Sequence, residues 1–266
     1  KHPLKNGVEA DWPSIDIEIK DRLSKLNGKK IVLLTSTIIS PSIKSIIDEF
    51  TERYSKVEHI MYDAIPYDGM LNANKESFGL RAISSYSFDK ANVIVSFGAD
   101  FIGNWLNNDY STDYVSGRKP KTGKMSKHYQ LESNLSLTGS NADKRIAIKP
   151  SEQKKLIVEL YNSLLNGDKS KDKRLHEIVD KLKNNKGKSI IVCDSNDVNT
   201  QMIVNNINNL LNNYGNTISI TNPSFYRQGN TRKVAELVNE MKNGNIGALI
   251  TYKVNPSYTL PNAQEF

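Results

Sequence analysis

Two stretches decide the fold: Ala91–Asp100, ANVIVSFGAD, and Leu137–Gln153, LTGSNADKRIAIKPSEQ. The first holds a continuously apolar run, Val93-Ile94-Val95, and ends in Ser96-Phe97-Gly98 and Asp100. Such a run suits a strand covered on both faces, as in a parallel sheet. The second joins an Asn-Ala-Asp turn to a short strand, Arg145–Lys149, that stops at Pro150. Glycine and small polar residues just past the carboxyl end of a parallel strand are where doubly wound sheets bind nucleotides.

Outward from these stretches, strands and helices alternate. Lys30–Thr35 reads as a strand, and Ser40 caps a helix with Pro41 at its first position. Ile43, Ile46, Ile47, Phe50 and Tyr54 give that helix an apolar stripe. Further strands are expected at Val57–Tyr62, Lys127–Leu131, Ser189–Cys193, Thr217–Ile220 and Ala248–Tyr252. Helices are expected over Leu71–Ser84, from a Ser151 cap to Leu165, and over Lys173–Lys183, Asp197–Tyr214 and Thr231–Met241. Gly98–Lys127 reads as short helix and loop. Alternation of this kind means βαβ units, hence an α/β chain with doubly wound, mostly parallel sheets. Ile31–Leu34, Val93–Val95, Ile190–Val192 and Ala248–Thr251 should be buried, with helices on both faces.

With 266 residues, 38% of them hydrophobic, the chain can build one large α/β domain or two smaller ones. No apolar run approaches the ~20 residues of a membrane span, and no secretory leader is visible at Lys1, where the chain reads as a trimmed fragment. The single cysteine, Cys193, lies in the apolar SIIVC, reads as a buried bystander, and excludes an internal disulfide or a four-cysteine iron–sulfur cluster. The net charge of +7 concentrates in Arg118–Lys127 and Lys169–Lys188. No aromatic platforms interleave with these lysines, so a solvated face or docking to an acidic partner is expected in place of a nucleic-acid groove.

Catalytic signatures are scarce. GxGxxG, P-loop and GxSxG patterns are absent, and His2, His59, His128 and His176 lack metal spacing and read as surface or structural. Glu132 and Asp143 are the nearest thing to an acid–base pair, placed in polar turns where solvation is expected. Asn141 or Asp143 should bind backbone amides and fix the turn before Arg145–Ile148. In Tyr226–Asn230, Arg227 stands beside a turn glycine, as an oxyanion ligand or as a structural donor to carbonyls.

In order, ANVIVSFGADF, GKMSKHYQLESNLSLTGSNADKRIAIKPSEQ, FYRQGN and GALITYKVNPSYTLP resemble the molybdopterin oxidoreductase family across Lys29–Pro261. The wording is most similar to the branch formed by the large iron–sulfur subunit of alternative complex III, a quinol-oxidising respiratory complex. The resemblance implies two lobes interleaved in sequence, Lys1–Tyr67 with Gly229–Phe266, and Asp68–Gln228. It implies that Gly98, Asp143, Pro150, Arg227 and Asn255 occupy the positions that line molybdopterin guanine dinucleotide.

Departures from the family pattern change that expectation. The guanine-binding aspartate is replaced by Gln153, whose amide cannot accept both guanine N–H donors as a carboxylate does. Ser151 adds a Cβ where backbone should approach the ligand, and Asp100 adds a negative charge near the diphosphate position. The metal-binding residue expected between Tyr62 and Phe78 is missing, with Asp63 or Asp68 as substitutes the resemblance allows. The first expectation is therefore a cofactor-free scaffold domain, without catalytic or metal-binding residues of its own. It would stand beside an iron–sulfur domain and other subunits of a membrane-bound complex, on the periplasmic side of the bacterial inner membrane, without inserting into it. The alternatives are a catalytic pterin-binding oxidoreductase fragment and an unrelated α/β module for a nucleotide or sugar.

Overall fold

The computed structural model describes residues 2–26, 28–107 and 110–266. Lys1, at the start of the first expected lobe, lies outside the described residues, as do Asn108 and Asp109 inside Gly98–Lys127. In chain order the main elements begin with α1 (Trp12–Ser24), β1 (Lys30–Thr35), α2 (Pro41–Arg53) and β2 (Val57–Met61). Then come α3 (Asp68–Phe78), β3 (Ile83–Tyr86), β4 (Val93–Phe97), α4 (Ser111–Ser116), β5 (Lys127–Glu132), α5 (Leu137–Ser140) and β6 (Lys144–Ala147). The chain continues through α6 (Pro150–Asn166), α7 (His176–Lys183), β7 (Ser189–Cys193), α8 (Val198–Leu210) and β8 (Ile218–Ser224). It ends with α9 (Thr231–Lys242), β9 (Ile246–Tyr252) and α10 (Pro256–Thr259). No helix among the described residues is long and apolar enough to cross a membrane.

Two compact units result, Lys1–Pro66 with Arg227–Phe266, and Tyr67–Tyr226. The discontinuous unit carries a parallel sheet in the order β9-β1-β2. Val32 and Leu34 face α9 through Val234 and Leu237, while Leu33 faces α2 through Ile47. The continuous unit carries a parallel sheet in the order β6-β5-β4-β7. One face of that sheet, with Val93, Val95, Ile191 and Cys193, packs on α6, α7 and α8. The other, with Ile94, Ile190 and Val192, packs on α3 and an aromatic cluster in which Phe88 stacks on Phe101 at 4.3 Å. Alternate side chains of β4 and β7 thus enter opposite cores, which is why their sequence is apolar throughout. The expected α/β class, with mostly parallel doubly wound sheets, holds.

Several local expectations do not. Ala248–Thr251 is not fully buried: β9 is a sheet edge, partly exposed, with Thr251 in solvent. Ile46 points outward at 63% exposure, so the inner face of α2 is narrower than its isoleucines imply. The helix expected over Leu71–Ser84 ends at Phe78, where Gly79 takes the left-handed φ of +76°. Ser84 belongs instead to β3, which pairs antiparallel with β8 in a separate two-stranded sheet. Helix α6 starts at Pro150, not after a Ser151 cap; the Glu152 carboxylate accepts from the Lys149 amide at 2.8 Å and closes its first turn.

Candidate functional site

At the carboxyl ends of β4, β5, β6 and β7, a cavity of about 260 Å³ is lined by Gly98, Glu132, Ser136, Pro150, Gln153 and Asp194, among others. This is where an open parallel sheet offers a ligand crevice. Gly98 holds φ +75° as the chain leaves β4, a conformation that suits glycine. A Cβ there would lie 2.5 Å from the Asp194 carboxylate. The Gln153 amide donates to the Phe97 carbonyl at 3.1 Å and to Asp194 Oδ1 at 2.7 Å.

Glu132 is the most constrained acid of the crevice. It is 4% exposed and accepts from Ser136 Oγ at 2.6 Å, Arg145 Nε at 2.6 Å and Gln130 Nε2 at 3.0 Å. Solvation in a polar turn is therefore the wrong description: Glu132 ends a buried strand, and its neighbours in the fold supply its donors. Loss of hydration pushes its carboxyl up, but the bonds from Ser136 and Arg145 outweigh that and hold it below the usual range. Asp194 behaves oppositely. Although the residue is exposed overall, crowding of its carboxyl raises the pKa more than the Gln153 bond lowers it, and the Glu132 charge adds to the rise. Asp100 turns to α5, where its Oδ1 accepts from the Thr138 amide at 2.9 Å and hydroxyl at 2.7 Å.

Of the residues named from sequence, Gly98 and Pro150 share this crevice. Asp143 does not line it. Its carboxylate pairs with both terminal nitrogens of Arg118, at 2.8 and 3.0 Å, and accepts from the His128 amide at 2.7 Å. Asp143 therefore binds a backbone amide, as expected, but one on the adjacent strand β5; Asn141 donates to the Leu137 carbonyl instead of accepting from an amide. Asp143→Ala should cost about 1–3 kcal/mol, since hydrogen bonds to a charged group are lost. An unchanged melting temperature would refute that structural role.

Arg227 and Asn255 belong to the discontinuous unit. Arg227 stands at a left-handed φ of +61°, and Asn255 precedes α10 with its carbonyl accepting from Tyr258 and Thr259. Nearby in that unit, Asp63 Oδ2 accepts from the Thr37 hydroxyl at 2.6 Å and the Gly229 amide at 2.7 Å. Asp68 pairs with Arg81 at 2.9 Å. Both candidate metal substitutes are thus engaged by protein. Among the described residues, no group of three or more His, Cys, Asp or Glu is placed to hold a metal ion. Sequence reading missed Asp194, although an acidic residue directly after the buried strand SIIVC marks a strand end of this kind.

A pterin dinucleotide would bring a diphosphate and a guanine to these strand ends. The residues of the crevice do not fit it. Glu132 and Asp194 line the cavity, and the space that Gly98 leaves open is taken by the protein's own carboxylate. Gly139 and Gly103 repeat the pattern, with Glu132 and Asp100 standing where a Cβ would go. Glycines that could let a phosphate approach here make room for acids.

No family model and no curated protein matches the sequence. Solved structures do match. The formyltransferase/hydrolase complex of Methylorubrum extorquens, in complex with methylofuran, gives a TM-score of 0.55 at 13% identity, over 77% of this chain and 56% of that one. Acetylene hydratase from Pelobacter acetylenicus gives 0.52 at 12% identity, over 79% of this chain and 34% of that one. The chain therefore spans about half of the first and about a third of the second. At such identities the likeness is one of fold alone: an α/β arrangement with parallel sheets.

Proposed function

We propose that this chain is a cofactor-free, molybdopterin-oxidoreductase-like scaffold domain. It would belong to the iron–sulfur subunit of a membrane-bound, quinol-oxidising respiratory complex on the periplasmic side of the inner membrane. The observation that carries the proposal is the acidic crevice, with Asp194 against Gly98 and Gln153 bonded to the protein itself. The fold likeness and the ordered motifs support the family part of the reading. In it, electrons pass through clusters held outside this chain, and the α/β units supply shape and contact surface to neighbouring subunits.

Losing two or three charge-assisted contacts to a dinucleotide costs about 3–6 kcal/mol, or ~10²–10⁴ in affinity. The purified chain should therefore carry no stoichiometric molybdenum by elemental mass spectrometry and release no fluorescent pterin on denaturation. Stoichiometric molybdenum, or a pterin signal, would overturn the scaffold reading in favour of a catalytic fragment. A thermal-shift response to a free nucleotide or sugar would favour an unrelated binding module.

A further inference from the structure

The two lysine-rich segments are separate in sequence, yet the fold brings their ends at Lys127 and Lys188 to one edge. Strands β4, β5 and β7 run parallel, so their amino-terminal ends lie together, opposite the acidic crevice. The join is made by backbone: Asn92 N donates to the Lys188 carbonyl at 2.7 Å, and Lys127 N donates to the Asn92 carbonyl at 2.7 Å. Around this seam, Lys90, Lys121, Lys181, Lys186 and Lys188 are exposed. Lys127 is half-buried over the Tyr129 ring at 5.9 Å. Asp89, Asp168, Asp172, Glu177 and Asp180 lie on the same stretches, with Asp172 paired to Arg174, Glu177 to Lys144 and Asp143 to Arg118, and the lysines and arginines still outnumber the acids. Beside the lysines, the hairpin Arg118–Lys119/Lys124–Met125 exposes Met125 at 50%, and Val115 just before it is 59% exposed.

We propose that this amino-terminal sheet edge docks on an anionic phospholipid surface. The charge is lysine, a point charge without the planar fork that reads one phosphate bidentately, so it suits a diffuse array of headgroups. Exposed apolar side chains beside the lysines suit the headgroup boundary. Each lysine near an anionic bilayer contributes about 1 kcal/mol, attenuated by salt. The proposal is independent of the scaffold reading, because vesicle binding and pterin content are measured separately.

The test is sedimentation of the full chain with phosphatidylcholine vesicles, with and without phosphatidylglycerol. Binding should require phosphatidylglycerol and disappear at high salt. Replacing Lys121, Lys181, Lys186 and Lys188 with Gln should lower the partition coefficient on the order of 10²-fold. The same four positions as Arg should keep it. Replacing Lys20, Lys25, Lys29 and Lys44 with Gln should change it only a few-fold. Equal loss from both Gln sets would reduce the effect to overall charge and overturn the proposal. No binding of the unmodified chain would also overturn it, and would point to an acidic protein as the partner of this edge.

Discussion

Gly69→Ala should lower the melting temperature of the Tyr67–Tyr226 unit by roughly 10 °C, corresponding to about 3 kcal/mol. Gly69 lies in the first turn of α3, and its amide donates to Asn196 Oδ1 at 2.8 Å. A Cβ at this position would fall among backbone atoms of Asn196, with the Asn196 Cα at 2.8 Å. Backbone just ahead of α8 cannot turn aside as a flexible side chain can. Helix α3 would have to withdraw from α8, and the buried bonds from Asn205 to Asn74 Oδ1 at 3.0 Å and Ser77 Oγ at 3.2 Å would stretch with it. Thermal denaturation followed by circular dichroism reads the effect. A melting temperature within 2 °C of the unmodified protein would show that α3 is not pinned at this contact.

Stability should also fall steeply in weak acid, because His128 is buried as the neutral imidazole. Its Nδ1 is 3.0 Å from the Tyr114 hydroxyl, and the ring packs beside Phe101 and Tyr114. Burial pushes its pKa down from 6.5 to about 4, against an opposing hydrogen bond to Gln130. The unfolded chain therefore binds this proton more readily than the folded one, and acid favours unfolding. The stabilisation is intact above pH 6.5 and is lost progressively as pH falls to about 4, for a total of about 3 kcal/mol. Glu132 and Asp143 act with the same sign at lower pH, since the Ser136 and Arg145 bonds and the Arg118 pair hold their carboxyls below the usual range. Urea unfolding between pH 7 and 4 should show a steeper loss for the unmodified protein than for His128→Gln. Parallel curves for the two would rule out His128 as the source.

What the sequence by itself determined is the set of elements whose signals are local. The apolar runs Val93–Phe97 and Ser189–Cys193 needed only their own residues to read as buried strands. Gly167 and Gly244 marked helix ends through the left-handed φ that glycine adopts readily. Strand β3, with the short and mixed sequence ISSY, carried too weak a pattern, and its partner β8 lies far along the chain.

The site was decided by tertiary structure. Glu132 looked like a solvated turn acid because its donor Arg145 arrives only through the register of β6 against β5. Asp143 looked like a local turn residue, but a parallel pairing sets it against Arg118 and the His128 amide. The acid crevice and the lysine edge follow the same rule. Parallel strands gather all their carboxyl ends on one side and all their amino ends on the other, so residues distant in sequence share an edge. Periodicity can assign a residue to an element and a face, but only register and crossover order determine which charges meet there.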